Sequence, residues 1–335
     1  MENVLEKAYL GDIVSKDGKN VKNIKARTNK AFGNINKIIT TLKERPLGKH
    51  TYKAFKLMRE GLLLGGLLTN SESWINLTKK DIENLEKPDT ILQRQALSAR
   101  GNPSKAFTML ELGIIPIRYI LMKKRLLFLH YISRENKDSM LYKVFIALNE
   151  DSRKGDFVDL IKKDKMDLKI DITNEVIENM SVWLWKKLIK NKVKEAALEY
   201  LNEENSQREK TKNITFSELK MSEYHSQNRS TSISKIIFGV RSKTFDVKEY
   251  NPWIYQDNLC VMCRKELETM DHFVKCVEYG ENLETDWKDI YGEDMEHQFE
   301  IGKFIEKRCR KREIILKQQE GGQTSNHGST APVIL

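Results

Sequence analysis

Cysteine is scarce in this chain: its 335 residues hold four, and three of those fall in one short stretch. So few thiols exclude a disulfide-built secreted scaffold and fit a reducing compartment where cysteine binds metal. Proline (6) and glycine (17) are also few while charged residues reach 32%, a balance that favours helices over a turn-rich β fold. The longest apolar run, Gly61-Leu-Leu-Leu-Gly-Gly-Leu-Leu68, is far too short to span a bilayer. Met1-Glu-Asn-Val-Leu-Glu-Lys7 lacks both a basic leader and an apolar core, so no secretory signal is expected. No glycine loop of the P-loop type is present. These absences point to an intracellular protein, of nucleus or cytoplasm, with no membrane partner.

What is present is positive charge and one ligand cluster. Lysine and arginine number 58 against 48 acidic residues, a net charge of +10. That excess favours polyanionic partners through counterion release, although it also serves solubility. The cluster has the spacing C-x2-C-x8-H-x3-C, with Cys260, Cys263, His272 and Cys276 as candidate ligands of one tetrahedral zinc. Cys260 and Cys263 fit a tight turn. Thr269 is suited to cap a short helix in which His272 and Cys276 are i and i+4, on the same face. A closed set of three thiolates and one imidazole makes a structural rather than catalytic site. It leaves about one net negative charge, so contacts to nucleic acid would come from neighbours such as Arg264, Lys265 and Lys275. The plainer alternative is three buried thiols and a packed histidine. Cys309 has no nearby ligand partners and reads as a bystander.

Hydrophobic periodicity predicts a mainly α fold. Residues 8–14 read as a short strand ended by the turn Lys16-Asp17-Gly18-Lys19. From Val21, apolar residues step by three and four through Ile24, Ala31, Ile35, Ile38 and Leu42, while Lys22, Lys25, Arg27 and Lys30 decorate the other side. Arg45-Pro46-Leu47-Gly48 stops that helix. Further helices are expected over about 49–68, from Thr78 with a break or kink at Pro88, and from an Asn102-Pro103 cap to Gly113. The next, Ile117–Ile132, carries a stripe of Ile117, Ile120, Leu121, Leu127, Phe128 and Tyr131, with His130 as a satisfied boundary histidine. Residues 140–148 and a long helix over 174–205 follow, with Trp185 in its apolar stripe and a lysine-rich remainder. The polar stretch 202–213 reads as linker. Short helices are expected around Leu219 and Ile236, and another over 304–318 before a disordered tail. Lys307-Arg308-Cys309-Arg310-Lys311-Arg312 is the densest positive run, suited to an import signal, an RNA contact or a charged helix end.

Tyr9-Leu10-Gly11, followed by Asp17-Gly18 and a basic helix, resembles the region just downstream of the palm in non-LTR (LINE-like) retrotransposon reverse transcriptases. Leu110-Glu-Leu-Gly-Ile-Ile-Pro-Ile-Arg118, continuing through Lys124-Arg-Leu-Leu-Phe-Leu-His-Tyr131, resembles the helical region after their polymerase core. The terminal C-x2-C…H-x3-C, with Glu268-Thr269 before the histidine, is similar to their zinc knuckle. The resemblance lies in the order of these features and covers most of residues 8–280.

It implies a palm and primer-grip remnant over 1–48, a thumb-like helical region over 49–135 and a basic helical linker region over 136–250. A knuckle over 251–280, a helical segment over 281–318 and a tail over 319–335 complete the division. It also implies that Lys22, Lys25, Arg27 and Lys30 adjoin the primer–template groove. The catalytic aspartates of the family lie upstream, and this chain contains no Asp-Asp pair. Magnesium is therefore expected only for the missing polymerase core, and residues 281–303 show no convincing endonuclease arrangement.

The expected protein is a nucleic-acid-binding C-terminal fragment, inactive alone, with RNA or single-stranded DNA and the upstream polymerase portion as partners. The alternative is a zinc-stabilised helical scaffold that binds protein. An isolated strand at Tyr9–Val14 would leave backbone groups unsatisfied, so truncation predicts it unformed or paired with an improvised partner.

Overall fold

A computed structural model describes residues 6–9, 12–15, 20–44, 50–99, 101–227 and 229–323. The chain is mainly helical and divides into two compact units, residues 1–96 with 104–222, and residues 97–103 with 223–335. Among the described residues no helix is long and apolar enough to cross a membrane.

The first unit opens with β1 (Glu6–Tyr9) and β2 (Asp12–Ser15), which pair antiparallel with Tyr9 opposite Asp12 and Glu6 opposite Ser15. The single strand expected over 8–14 is therefore not formed; the chain reverses within it and each short strand supplies the other's backbone partners. No larger sheet surrounds the pair among the described residues. Leu10, Gly11 and the Lys16–Lys19 turn lie outside the described residues, as does the Arg45–Gly48 stop.

Helix α1 (Val21–Glu44) buries Ile24, Ala31, Ile35 and Ile38, as its periodicity predicts, and packs on α4 (Lys79–Ala96). Between them lie α2 (Thr51–Met58), a π turn over Arg59–Leu64 and the short α3 (Gly65–Leu67). On the π turn Arg59 is buried and donates from Nε and Nη2 to the Asp89 carboxylate of α4 at 2.6 and 2.7 Å. Helix α4 starts with a reciprocal cap: Asp81 N–H donates to Thr78 Oγ1 at 3.2 Å, and Thr78 N–H to Asp81 Oδ2 at 2.9 Å. It continues through Pro88 without ending there.

Helix α5 (Lys105–Leu112) is capped by Ser104 rather than Asn102, because the Ser104 hydroxyl accepts from Phe107 N–H. Gly113 ends it at φ 61°, where a Cβ would also stand 2.4 Å from the backbone at Lys220 and Met221, so only glycine fits. The buried face of α6 (Ile117–Ser133) runs through Ile117, Leu121, Arg125, Leu126 and Leu129. Of the expected stripe, Leu127 and Phe128 are half-buried and Tyr131 is exposed, a rotation imposed by packing against α10.

Helices α7 (Met140–Glu150) and α8 (Phe157–Asp167) follow, the latter tied to α6 by Arg125, which donates to the Asp164 carboxylate at 2.7 and 2.8 Å. The long helix expected over 174–205 is two, α9 (Asn174–Asn179) and α10 (Val182–Ser206), because Ser181 caps α10 by accepting from Leu184 N–H. Trp185 is core, its indole N–H donating to Leu126 O at 2.9 Å, and His130 Nε2 lies 2.9 Å from Met180 O, as expected for a satisfied histidine. The stretch 202–213 is not a free linker. Buried Asn205 donates to Thr211 O and Ile214 O, each at 2.9 Å, and accepts from the Thr211 hydroxyl at 2.6 Å.

The second unit contains α11 (Glu223–Ser226), α12 (Thr231–Arg241), α13 (Met270–Lys275) and α14 (Met295–Gln323). Leu219, expected in a helix, is buried in a bend near the end of the first unit instead, while Ile236 lies within α12. Helices α12 and α14 pack so closely at Gly302 that a Cβ there would stand 2.6 Å from Ile233 Cγ2. Helix α14 begins at Met295, well before the expected 304, and its last turn takes in residues 319–323 of the expected tail; the remainder, from 324, lies outside the described residues. The unit boundary at 222/223 falls inside the expected segment 136–250, and the segments 251–280 and 281–318 share one unit. The reason is a set of contacts from α14 to the cysteine cluster.

Candidate metal centre

The cluster is built from a loop and a helix. Residues 259–267 form a small hairpin, with Leu259 bridged to Leu267 and Cys260 N–H donating to Glu266 O at 2.7 Å. Inside it the turn after Cys260 closes with Arg264 N–H on Cys260 O at 3.0 Å, and Arg264 takes φ 55°, in the left-handed region. That reversal aims Lys265 N–H at Cys263 Sγ, 3.5 Å away, a bond that favours thiolate. The other two ligands ride on α13. Thr269 caps it, its hydroxyl accepting from His272 N–H at 3.0 Å, so His272 and Cys276 lie one turn apart on one face.

These elements bring Cys260, Cys263, His272 and Cys276 together, with ligand atoms all within 4.8 Å of one another. Cys260 Sγ lies 3.9 Å from Cys276 Sγ, and Cys263 Sγ lies 3.4 Å from His272 Nε2. A tetrahedron with zinc–sulfur bonds of about 2.3 Å and a zinc–nitrogen bond of about 2.0 Å has edges of about 3.8 Å (S to S) and about 3.5 Å (S to N). These two separations match those edges and the remaining ligand atoms lie within 4.8 Å of one another, so the four residues fit a metal ion. His272 Nδ1 lies 3.1 Å from the Glu266 carboxylate, which orients the ring with Nε2 turned to the sulfurs.

The two thiols of the loop differ. Burial pushes Cys260 up to about 12. Burial also opposes ionisation of Cys263, but the N–H groups of Lys265 and Glu266, with His272 and Cys260, bring it down to about 7. Cys309, off the cluster, is pushed up to about 12 by burial.

Support comes from α14, which the sequence did not reveal. Arg308 Nη1 donates to Phe273 O at 3.0 Å and Cys276 O at 2.8 Å, and Nη2 donates to Glu281 O at 2.6 Å. Its positive charge thus sits on the last carbonyls of α13, beside a centre that would carry about one net negative charge with zinc bound. One turn on, Arg312 donates to buried Glu268, whose other oxygen accepts from Val261 N–H at 3.1 Å, next to Cys260. Within the run Lys307–Arg312, Arg308 and Arg312 are thus internal, while the Lys307 and Arg310 side chains are exposed. An i, i+4 pair of arginines inside a charged run was the available sign, though burial of arginine cannot be read from charge.

The expected nucleic-acid contacts separate into groups. Lys22, Lys25 and Lys30 are exposed on one face of α1. Arg27 is turned inward, donating from Nε to Asn23 Oδ1 at 3.1 Å and from Nη1 to Gly66 O at 3.3 Å, and it lies over the Trp74 ring. It therefore does not share the exposed face of the three lysines. Near the cluster, Arg264 pairs with Asp257 at 3.1 Å and Lys275 with Asp271 at 3.0 Å, while Lys265 is exposed. Compared with family models, with curated proteins and with solved structures, the chain matches none of them.

Proposed function

We propose that the chain is a zinc-stabilised, mainly helical protein that binds single-stranded RNA or DNA, the C-terminal part of a LINE-like reverse transcriptase without its catalytic palm. Zinc is held by Cys260, Cys263, His272 and Cys276 and supplies structure, not chemistry, because no ligand position stays open. The observation that carries the nucleic-acid reading is the outer face of α1: Lys22, Lys25, Lys30 and Lys37 are exposed, and no acidic residue occurs between Val21 and Lys43. A helix so charged is a track for phosphates.

The test is binding of single-stranded RNA across a salt titration. Affinity should fall steeply, and changing Lys22, Lys25 and Lys30 together to alanine should flatten the log–log slope by about 2, at about 0.7 per phosphate contact. Absence of binding at low salt removes the reading. A primer-extension assay on the chain alone should show no incorporation.

The second reading, a protein-binding scaffold, is favoured by α7, where Met140, Leu141 and Val144 are all exposed. It gains ground if RNA binding is absent and changing these three residues alters association with a protein.

A further inference from the structure

In the first unit, a cavity of about 390 Å³ opens between the C-terminal turns of α6 and the first turns of α10. Its size suits a small ligand or a single nucleotide unit. Stacked His130 and Trp185 line it from the core side, with ring centroids 6.0 Å apart at 14°, and Leu127 and Val182 add apolar wall. The cavity therefore offers a flat, apolar interior already fixed by the core.

Its mouth has a different chemistry. Tyr131 is 55% exposed, an unusual position for an aromatic ring in an otherwise apolar helix segment, yet it is not loose. It stacks on Phe128 at 11° with centroids 6.1 Å apart, so one ring face is backed by protein. Arg134 and Lys186, both exposed, line the same opening. The one acid there, Glu135, pushes the Tyr131 hydroxyl above the usual phenol range, and its single charge is outnumbered by Arg134 and Lys186, so the mouth is positive on balance. On the outer side of α10, Trp183 is 68% exposed with the Lys187 ammonium 4.9 Å from its ring centre. Exposed rings beside cations bind bases by stacking and phosphates by charge.

We infer that this cavity holds one nucleotide of a single strand, with its base stacked at Tyr131 against Leu127 and Val182 and its phosphate between Arg134 and Lys186. The assignment rests on the nucleic-acid reading above, and it adds a base-stacking site to the lysine face of α1. Stacking tolerates any base, so the site supplies affinity without sequence preference.

The test uses the full chain and a fluorescein-labelled uridine 12-mer, followed by anisotropy. Tyr131→Ala should weaken binding about tenfold without changing the salt slope, and Tyr131→Phe should restore it to within about twofold, because the ring and not the hydroxyl does the stacking. Arg134→Ala and Lys186→Ala should each flatten the salt slope by about 0.7. If wild-type chain binds, and Lys22, Lys25 and Lys30 matter while Tyr131→Ala binds as wild type, the cavity assignment is overturned and the functional reading stands. If wild-type chain does not bind at low salt, both fall. Displacement of the 12-mer by an equal concentration of free uridine monophosphate would assign the cavity to free nucleotides and overturn the single-strand assignment.

Discussion

Arg312 on α14 donates from Nε and Nη2 to Glu268 Oε1, at 3.1 and 2.8 Å, with both side chains buried. Glu268 stands just before the α13 cap and also accepts from Val261 N–H, so the pair ties a helix 44 residues away in sequence to the turn that carries Cys260. Arg312→Ala leaves the Glu268 carboxylate buried without its main partner, at a cost of about 3–5 kcal/mol. Denaturant unfolding of the full chain should show that loss, and a chelator competition should show weaker zinc retention. Unchanged stability would mean that the pair does not support the centre.

The basic run is expected to split along the same line. Arg308→Ala removes three donations to carbonyls of Phe273, Cys276 and Glu281 and should cost about 2–3 kcal/mol. Lys307→Ala, at an exposed side chain, should stay within about 0.5 kcal/mol. Equal effects in thermal or denaturant unfolding would contradict the internal role given to Arg308.

Arg27 and its lysine neighbours should also separate. Arg27→Ala removes buried hydrogen bonds and the contact with Trp74, so it should lower stability by about 1–3 kcal/mol. Its effect on the salt slope of RNA binding should be small. Changing Lys22, Lys25 and Lys30 should do the reverse, flattening the slope with stability nearly constant. Matching slope changes for Arg27→Ala and one lysine variant would place Arg27 at the phosphate surface.

Metal affinity should depend on pH in a set direction. Binding as thiolate displaces a proton from Cys260, pushed up to about 12, at every pH from 6 to 8. Cys263, down to about 7, is largely ionised at pH 8 and largely protonated at pH 6, so acidification adds a further proton to displace. The slope of log affinity against pH should therefore steepen below about pH 7, with zinc held less tightly as pH falls. A pH-independent affinity in a competitive chelator titration would exclude thiolate ligation by these residues.

Local signals were legible and long-range ones were not. The ligand spacing, the Thr269 cap, the Gly113 stop and the α1 stripe each depend on residues within a turn or two, and each appears as its residues dictate. The strand over 8–14 failed because a pattern of β-forming residues does not say whether the chain reverses within it. The linker over 202–213 failed because Asn205 looks polar in sequence, while its amide organises a buried turn. The break at Ser181 was masked by apolar periodicity on both sides of a good N-cap residue. Support of the metal centre by Arg308 and Arg312 needed the packing of α14, since sequence charge alone places arginine at the surface.

Cys260, Cys263, His272 and Cys276, with their ties to Arg308 and Arg312 of α14, should form one metal-dependent unit. The decisive measurement is metal analysis of full chain purified without chelators, beside Cys263→Ser and His272→Ala. The wild type should carry one zinc per chain and both variants should lose it, with hydrogen exchange rising over 258–280 and in the α14 turns around Arg308 and Arg312. Wild-type protein without zinc, or variants that keep a full equivalent, would contradict such a unit.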